Sequence, residues 1–216
     1  MEKQRNILYV HGMGGGGDSR IPRLLQEQFE GSGVRIVVRT YDFDPERGRA
    51  QILGWVEELS PVLVIGESLG SLQAIRIRGI PHLLVSPSIG AAQFMYRLAW
   101  LTRLPGLPAL LPRIWRVKEG DRQPLRFEYA VLARYRAHWE DVVAASREDG
   151  NYFAFFGRRD HYRKWGIVRI SSWRKMFGDS FQIYEGTHFM EEEYVYSLLV
   201  PKIREMLTVA NMDGFQ

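Results

Sequence analysis

Six short apolar runs, separated by helix-patterned or turn-rich sequence, predict an α/β fold of three layers, with helices on both faces of a mostly parallel sheet of about six strands. Two features sharpen that expectation. One is the junction Gly66-Glu67-Ser68-Leu69-Gly70, where an apolar run turns abruptly into a helical pattern. The other is the stretch between Ile89 and Gly150, where the alternation stops, which predicts a single domain over residues 1–216 with a helical cap inserted at about 90–148.

Residues 6–10 (Asn-Ile-Leu-Tyr-Val) form the first expected strand, followed by His11-Gly12-Met13-Gly14-Gly15-Gly16-Gly17-Asp18-Ser19. A helix is expected over residues 20–29, capped by Asp18 or Ser19, with Pro22 tolerated in its first turn. The glycine loop has three readings. Gly12 to Gly17 matches the dinucleotide fingerprint G-x-G-x-x-G, with Asp42 as a ribose acceptor, which would make the chain an oxidoreductase. A phosphate loop fails because Asp18 stands where the lysine belongs. In the third, the Met13 amide donates to a developing oxyanion together with the Leu69 amide. The choice rests on whether Ser68 has companions.

The second strand is expected at residues 34–41 and a short amphipathic helix at 51–59, returning the chain to the strand that ends at Ser68. Ser68 on that turn would push its hydroxyl out at the C-terminal edge of the sheet, facing the first amides of the next helix. Gly66 and Gly70 would let strand and helix backbones close on each other. Residues 81–87 form the fourth strand, with His82 expected to be buried or at an edge rather than catalytic.

In the insertion, rich in Phe94, Met95, Tyr96, Trp100 and Trp115, the aromatic side chains are expected to line an acyl pocket, Pro105, Pro108 and Pro112 to break helices, and a long helix to run over 125–146. Strands follow at 151–156 and 181–185, with a helix between them at about 165–177 and a C-terminal cover over 191–207 that restarts near Pro201. Asp160 falls just past one strand and His188 just past the next, at the sheet edge where Ser68 emerges. Serine, acid and histidine in that order can meet in space, His188 taking the Ser68 proton and Asp160 orienting the imidazole. Glu185 and Asp179 are the alternative acids.

With His11-Gly12-Met13, Gly66-Glu67-Ser68-Leu69-Gly70, Gly157-Arg158-Arg159-Asp160 and Gly186-Thr187-His188, the sequence resembles the α/β-hydrolase superfamily, and looks most like its small single-domain serine esterases. The resemblance spans nearly the whole chain and weakens in the insertion. It implies that Ser68 is the nucleophile, His188 the base, Asp160 the orienting acid, and Met13 and Leu69 the oxyanion donors. It further implies attack on a carboxylic ester, thioester or amide through an acyl-enzyme, with no metal or cofactor. Glu67 departs from the residues common there, and two of the usual eight strands are missing, leaving an expected order 2-1-3-4-5-6. A non-catalytic binding protein on the same fold is the remaining alternative.

The net charge of +4 is uneven: residues 91–136 carry nine Lys/Arg against three Asp/Glu, and 157–175 seven against one. Arg158, Arg159, Arg163 and Lys164 beside the proposed acid suggest an anionic acyl substrate. No nucleic-acid module is recognisable. No run of eighteen apolar residues occurs, so no membrane span is expected. The first six residues carry no apolar leader and the chain has no cysteine, so a cytoplasmic protein without disulfides is expected.

Overall fold

The computed structural model describes residues 4–145 and 150–213. In chain order these form β1 (Arg5–Val10), α1 (Arg20–Gln28), β2 (Val34–Val38), α2 (Pro45–Leu59), β3 (Leu63–Glu67), α3 (Gly70–Ile75) and β4 (His82–Val85). The insertion follows with α4 (Ala91–Leu101), α5 (Leu107–Ile114), α6 (Tyr129–Ala133) and α7 (Tyr135–Ala145). After it come β5 (Tyr152–Gly157), a 3₁₀ turn (His161–Arg163), α8 (Ile170–Phe177), β6 (Phe181–Tyr184), α9 (Glu192–Tyr194), a π-helical turn (Val195–Leu199) and α10 (Val200–Asp213).

Among the described residues the strands form one six-stranded sheet in the order 2-1-3-4-5-6, as expected, and every neighbouring pair is parallel. Each strand therefore ends at the same edge. Alternation along the strands sends Leu8, Val10, Val64, Leu84, Ala154 and Phe156 into a core with α2, α3, α8 and the insertion. Ile7, Tyr9, Ile65, Leu83, Val85 and Phe155 face the opposite way, against α1 and the C-terminal helices. Both faces are covered, which is why the central strands read as unbroken apolar runs.

Several element boundaries differ from the sequence reading. Helix α2 starts at Pro45, six residues early, because Asp44 caps it by accepting from the Glu46 amide at 3.0 Å and Pro45 is preset for a first turn. Ser19 sits at the N-cap of α1, yet its hydroxyl accepts from Gly16 N at 3.0 Å and caps nothing. The long helix expected at 125–146 is replaced by α6 and α7 after an extended stretch; Ser146 lies outside the described residues. The helix expected at 165–177 shortens to α8 behind the 3₁₀ turn that Asp160 caps. His82 is buried, stacked on Tyr152 at 4.8 Å, with Nε2 donating to Ala74 O at 2.8 Å.

Candidate active site

Ser68 closes β3 with φ +50°, a left-handed backbone that a serine adopts only under constraint. The constraint comes from its neighbours: Ser68 N donates to Val85 O at 2.9 Å, and Ser68 O accepts from Ser88 N at 3.1 Å. A side chain on Gly70 would run into the carbonyls of Val10 and His11, so the turn closes only around glycine.

From β5 and β6 come the partners. Asp160 is buried and uses both carboxylate oxygens: Oδ1 accepts from Tyr162 N at 2.8 Å, and Oδ2 accepts from His188 Nδ1 at 2.7 Å. His188 Nε2 then lies 2.8 Å from Ser68 Oγ, placed to accept its proton. The structure thus brings Ser68, Asp160 and His188 into one hydrogen-bonded chain. Glu185 and Asp179 are exposed and ion-paired with Arg158 and Arg174 instead. The loop bearing His188 is fixed on three sides. Thr187 N donates to Glu191 at 3.0 Å, Thr187 O accepts from Tyr184 Oη at 2.9 Å, and the Arg20 guanidinium donates to the carbonyls of Phe189 and Met190 at 2.5 and 2.7 Å.

Met13 and Leu69 line the same cavity as Ser68 and His188. The β1 loop comes close here: a Cβ on Gly12 would stand 3.0 Å from Ser68 Cβ. His11 anchors the loop from beneath, buried, stacked on Tyr41 at 4.4 Å, with Nδ1 donating to Gly12 O at 2.8 Å. Burial lowers its pKa to about 4, so the ring is neutral at ordinary pH.

Sequence reasoning missed two residues, Gln123 and Ser88, and flagged Glu67 without its partner. Gln123, buried within the insertion, accepts from Gly14 N at 3.2 Å, donates to Tyr41 O at 3.1 Å, and sends its own amide to Gly15 O at 2.7 Å. It ties the insertion to the glycine loop, and no local pattern marks it. Ser88 Oγ lies 3.2 Å from Ser68 Oγ, a second polar neighbour for that hydroxyl. Glu67 accepts from Tyr9 Oη at 2.8 Å; burial raises its pKa above the usual carboxylate range.

The cavity at this edge has a volume of about 810 Å³. Phe94, Met95, Leu98, Trp115, Leu125 and Phe127 give it an apolar wall. Tyr96 and Trp100 do not line it; Trp100 instead packs on Tyr129, half exposed. The cations on its wall are Arg20, Arg116, Lys118 and Arg122. Arg158, Arg159 and Arg163, expected beside the substrate, turn instead to Glu185 and to backbone carbonyls. The glycine loop is filled from the protein itself, since a Cβ on Gly16 would collide with the Asp121 carbonyl. Asp42 is ion-paired with Arg126 at 2.5 Å and Asp18 with Arg122 at 2.6 Å. Among the described residues, no group of three or more His, Asp or Glu stands where it could hold a metal ion.

No family model matches the chain, and no curated protein matches it in sequence. Solved structures do. Est1E from Butyrivibrio proteoclasticus matches at a TM-score of 0.66 and 16% identity, over 98% of this chain and 90% of its own. Alpha/beta hydrolase domain-containing protein 10 from mouse matches at 0.66 and 13%, over 94% and 89%. A structure from work on carboxylesterases of the thaumarchaeon Nitrososphaera gargenis matches at 0.61 and 13%, over 95% and 92%. The fold is that of the α/β-hydrolase superfamily.

Proposed function

We propose that the protein is a serine hydrolase that cleaves a carboxylic ester or thioester through an acyl-enzyme on Ser68. The observation that carries this is the unbroken chain from Asp160 to His188 to Ser68, at 2.7 and 2.8 Å, on a strained turn at a cavity wall. The hydrolase and carboxylesterase names among the structural neighbours support the reaction class.

In the reaction, Ser68 Oγ bonds to the substrate carbonyl carbon as its proton passes to His188 Nε2. The carbonyl π electrons move onto oxygen, and the Met13 and Leu69 amides are the donors proposed to meet that charge. Collapse of the intermediate expels the alcohol or thiol, which takes the proton from the imidazolium. Water, deprotonated by His188, then repeats the sequence on the acyl-enzyme and frees the acid. Asp160 holds the proton on Nδ1, which keeps Nε2 free to act as base, and stabilises the charged ring.

The apolar wall suits an acyl chain, and we read the segment at about 90–148 as the cap of a single domain that supplies much of that wall. The dinucleotide reading loses its support, because Asp121 fills the space over Gly16 and Arg126 occupies Asp42. The lack of cysteine suits a cytoplasmic setting.

Turnover of a panel of p-nitrophenyl esters and acyl thioesters, by wild type and by Ser68→Ala and His188→Ala, tests the reading. Wild-type hydrolysis with each variant reduced to background is the expected result. Hydrolysis by Ser68→Ala at the wild-type rate overturns the mechanism. A folded wild type that turns over no substrate in the panel favours the non-catalytic binding protein.

A further inference from the structure

The insertion that walls the cavity also carries an unpartnered apolar surface. Among the exposed large apolar residues of the described chain, Trp100, Leu101, Leu104, Leu110 and Ile114 fall within fifteen consecutive positions. Helix α4 buries Met95, Leu98 and Ala99 and turns Arg97, Trp100 and Leu101 outward at helical spacing, with Leu104 just beyond its end. Helix α5 is covered still less. Leu111 is its one buried residue, and Leu110, Arg113 and Ile114 are exposed. A helix that leaves most of its apolar residues to water lacks a partner.

Charge identifies the partner. Residues 91–118 contain five basic residues, Arg97, Arg103, Arg113, Arg116 and Lys118, and no acidic one. All five are exposed. The Arg103 guanidinium lies 4.2 Å from the Trp100 ring and 4.1 Å from the Tyr129 ring, pairing a cation with an indole at the surface. Against a second copy of the chain in a two-fold contact, these positive charges would face their own kind. An anionic lipid surface meets both properties at once, with acyl chains for the leucines and phosphates for the arginines, and an indole suits the headgroup layer.

We propose that α4 and α5 form a docking surface for an anionic phospholipid bilayer. The protein lies on such a surface without crossing it; among the described residues no helix is long and apolar enough to span a membrane. The placement bears on the site. Trp115, Arg116, Val117 and Lys118 follow α5 directly and line the cavity, and so do the exposed aromatics Trp165 and Phe189. Docking therefore holds the cavity wall against the lipid, and acyl amphiphiles drawn from the bilayer are the substrate class it favours. That last step rests on the serine hydrolase reading; the docking itself does not.

Co-sedimentation with vesicles tests the docking without reference to catalysis. The chain is spun with vesicles of phosphatidylcholine alone and of phosphatidylcholine mixed with phosphatidylglycerol. Binding at least about tenfold tighter to the anionic vesicles, weakened by high salt, is expected. The double substitution Leu110→Asn, Ile114→Asn should lose at least about tenfold of that binding with its circular dichroism melt unchanged. Arg113→Gln, which keeps the apolar face, should weaken binding to anionic vesicles alone. Equal binding to both vesicle types, no binding to either, or undiminished binding by the double variant would overturn the proposal. So would a wild-type dimer in sedimentation velocity that the same double substitution dissociates, since a second copy would then own the patch.

Discussion

The sheet edge and the insertion that overhangs it are built by different physics. At the edge, what is held is the backbone, by other backbone at Ser68 and by neighbouring side chains at Thr187. Ser68 N and O are both bonded to the chain around β4, the His188 loop is pinned through Thr187 N and O, and Asp160 is held by the turn it caps. The insertion is attached through its own long side chains together with a backbone bond from Gln123 N to Gly15 O. Gln123 reaches Gly14 and Tyr41, Arg126 reaches Asp42, and Arg134 pairs with Asp44 at the cap of α2. Fixing the backbone itself suits groups whose geometry must hold within a fraction of an ångström, whereas reaching across with long side chains leaves a surface free to vary with its ligand.

That contrast can be broken first at the edge. Asp160→Asn keeps the shape of the side chain but favours the wrong imidazole tautomer. On this account it lowers kcat about ten-thousandfold, measured by steady-state turnover at neutral pH. Near-normal turnover would return the acid role to another carboxylate.

At the seam between the regions, Gln123→Ala leaves the buried Tyr41 O and the half-buried Gly14 N without their partner. A destabilisation of about 1–3 kcal/mol is expected in urea unfolding. Because the glycine loop carries Met13, kcat should also fall, by on the order of tenfold or more if this proposed oxyanion donor shifts. Loss of stability with kcat intact would confine Gln123 to a structural role.

A more distributed effect concerns pH. Burial lowers the pKa of His11 and His82 to about 4 and of His138 to about 3, from 6.5. The folded protein keeps these rings neutral while the unfolded chain protonates them below 6.5, so the unfolded state binds more protons in between. Their contribution is fully present above pH 6.5 and is lost as pH falls toward 4, by up to about 3 kcal/mol for each ring. Urea midpoints measured from pH 7 to 4 should therefore fall steeply, and less so for His82→Gln. A flat profile would contradict the neutral, buried state of these rings.

The same division explains what the sequence made legible. Strand order, the tight turn at Ser68 and the convergence of Asp160 and His188 follow from short-range patterns and from the parallel crossover rule, which forces successive strand ends to one edge. The insertion carries no such period. Residues 125–146 read as one long helix where two short ones form, Pro108 and Pro112 lie within α5 instead of breaking it, and Gln123 has no local signature because its partners lie at Tyr41 and in the glycine loop. The basic cluster at Arg158 and Arg159 misled for a similar reason. Sequence shows its proximity to Asp160 but not that its side chains turn to Glu185.

The central claim is an activated serine at position 68. The most direct test is intact-mass analysis after treatment with a serine-directed fluorophosphonate, with Ser68→Ala in parallel. A single adduct on the wild type and none on the variant is the predicted result. An equal adduct on both proteins would place the reactive hydroxyl elsewhere and contradict the account.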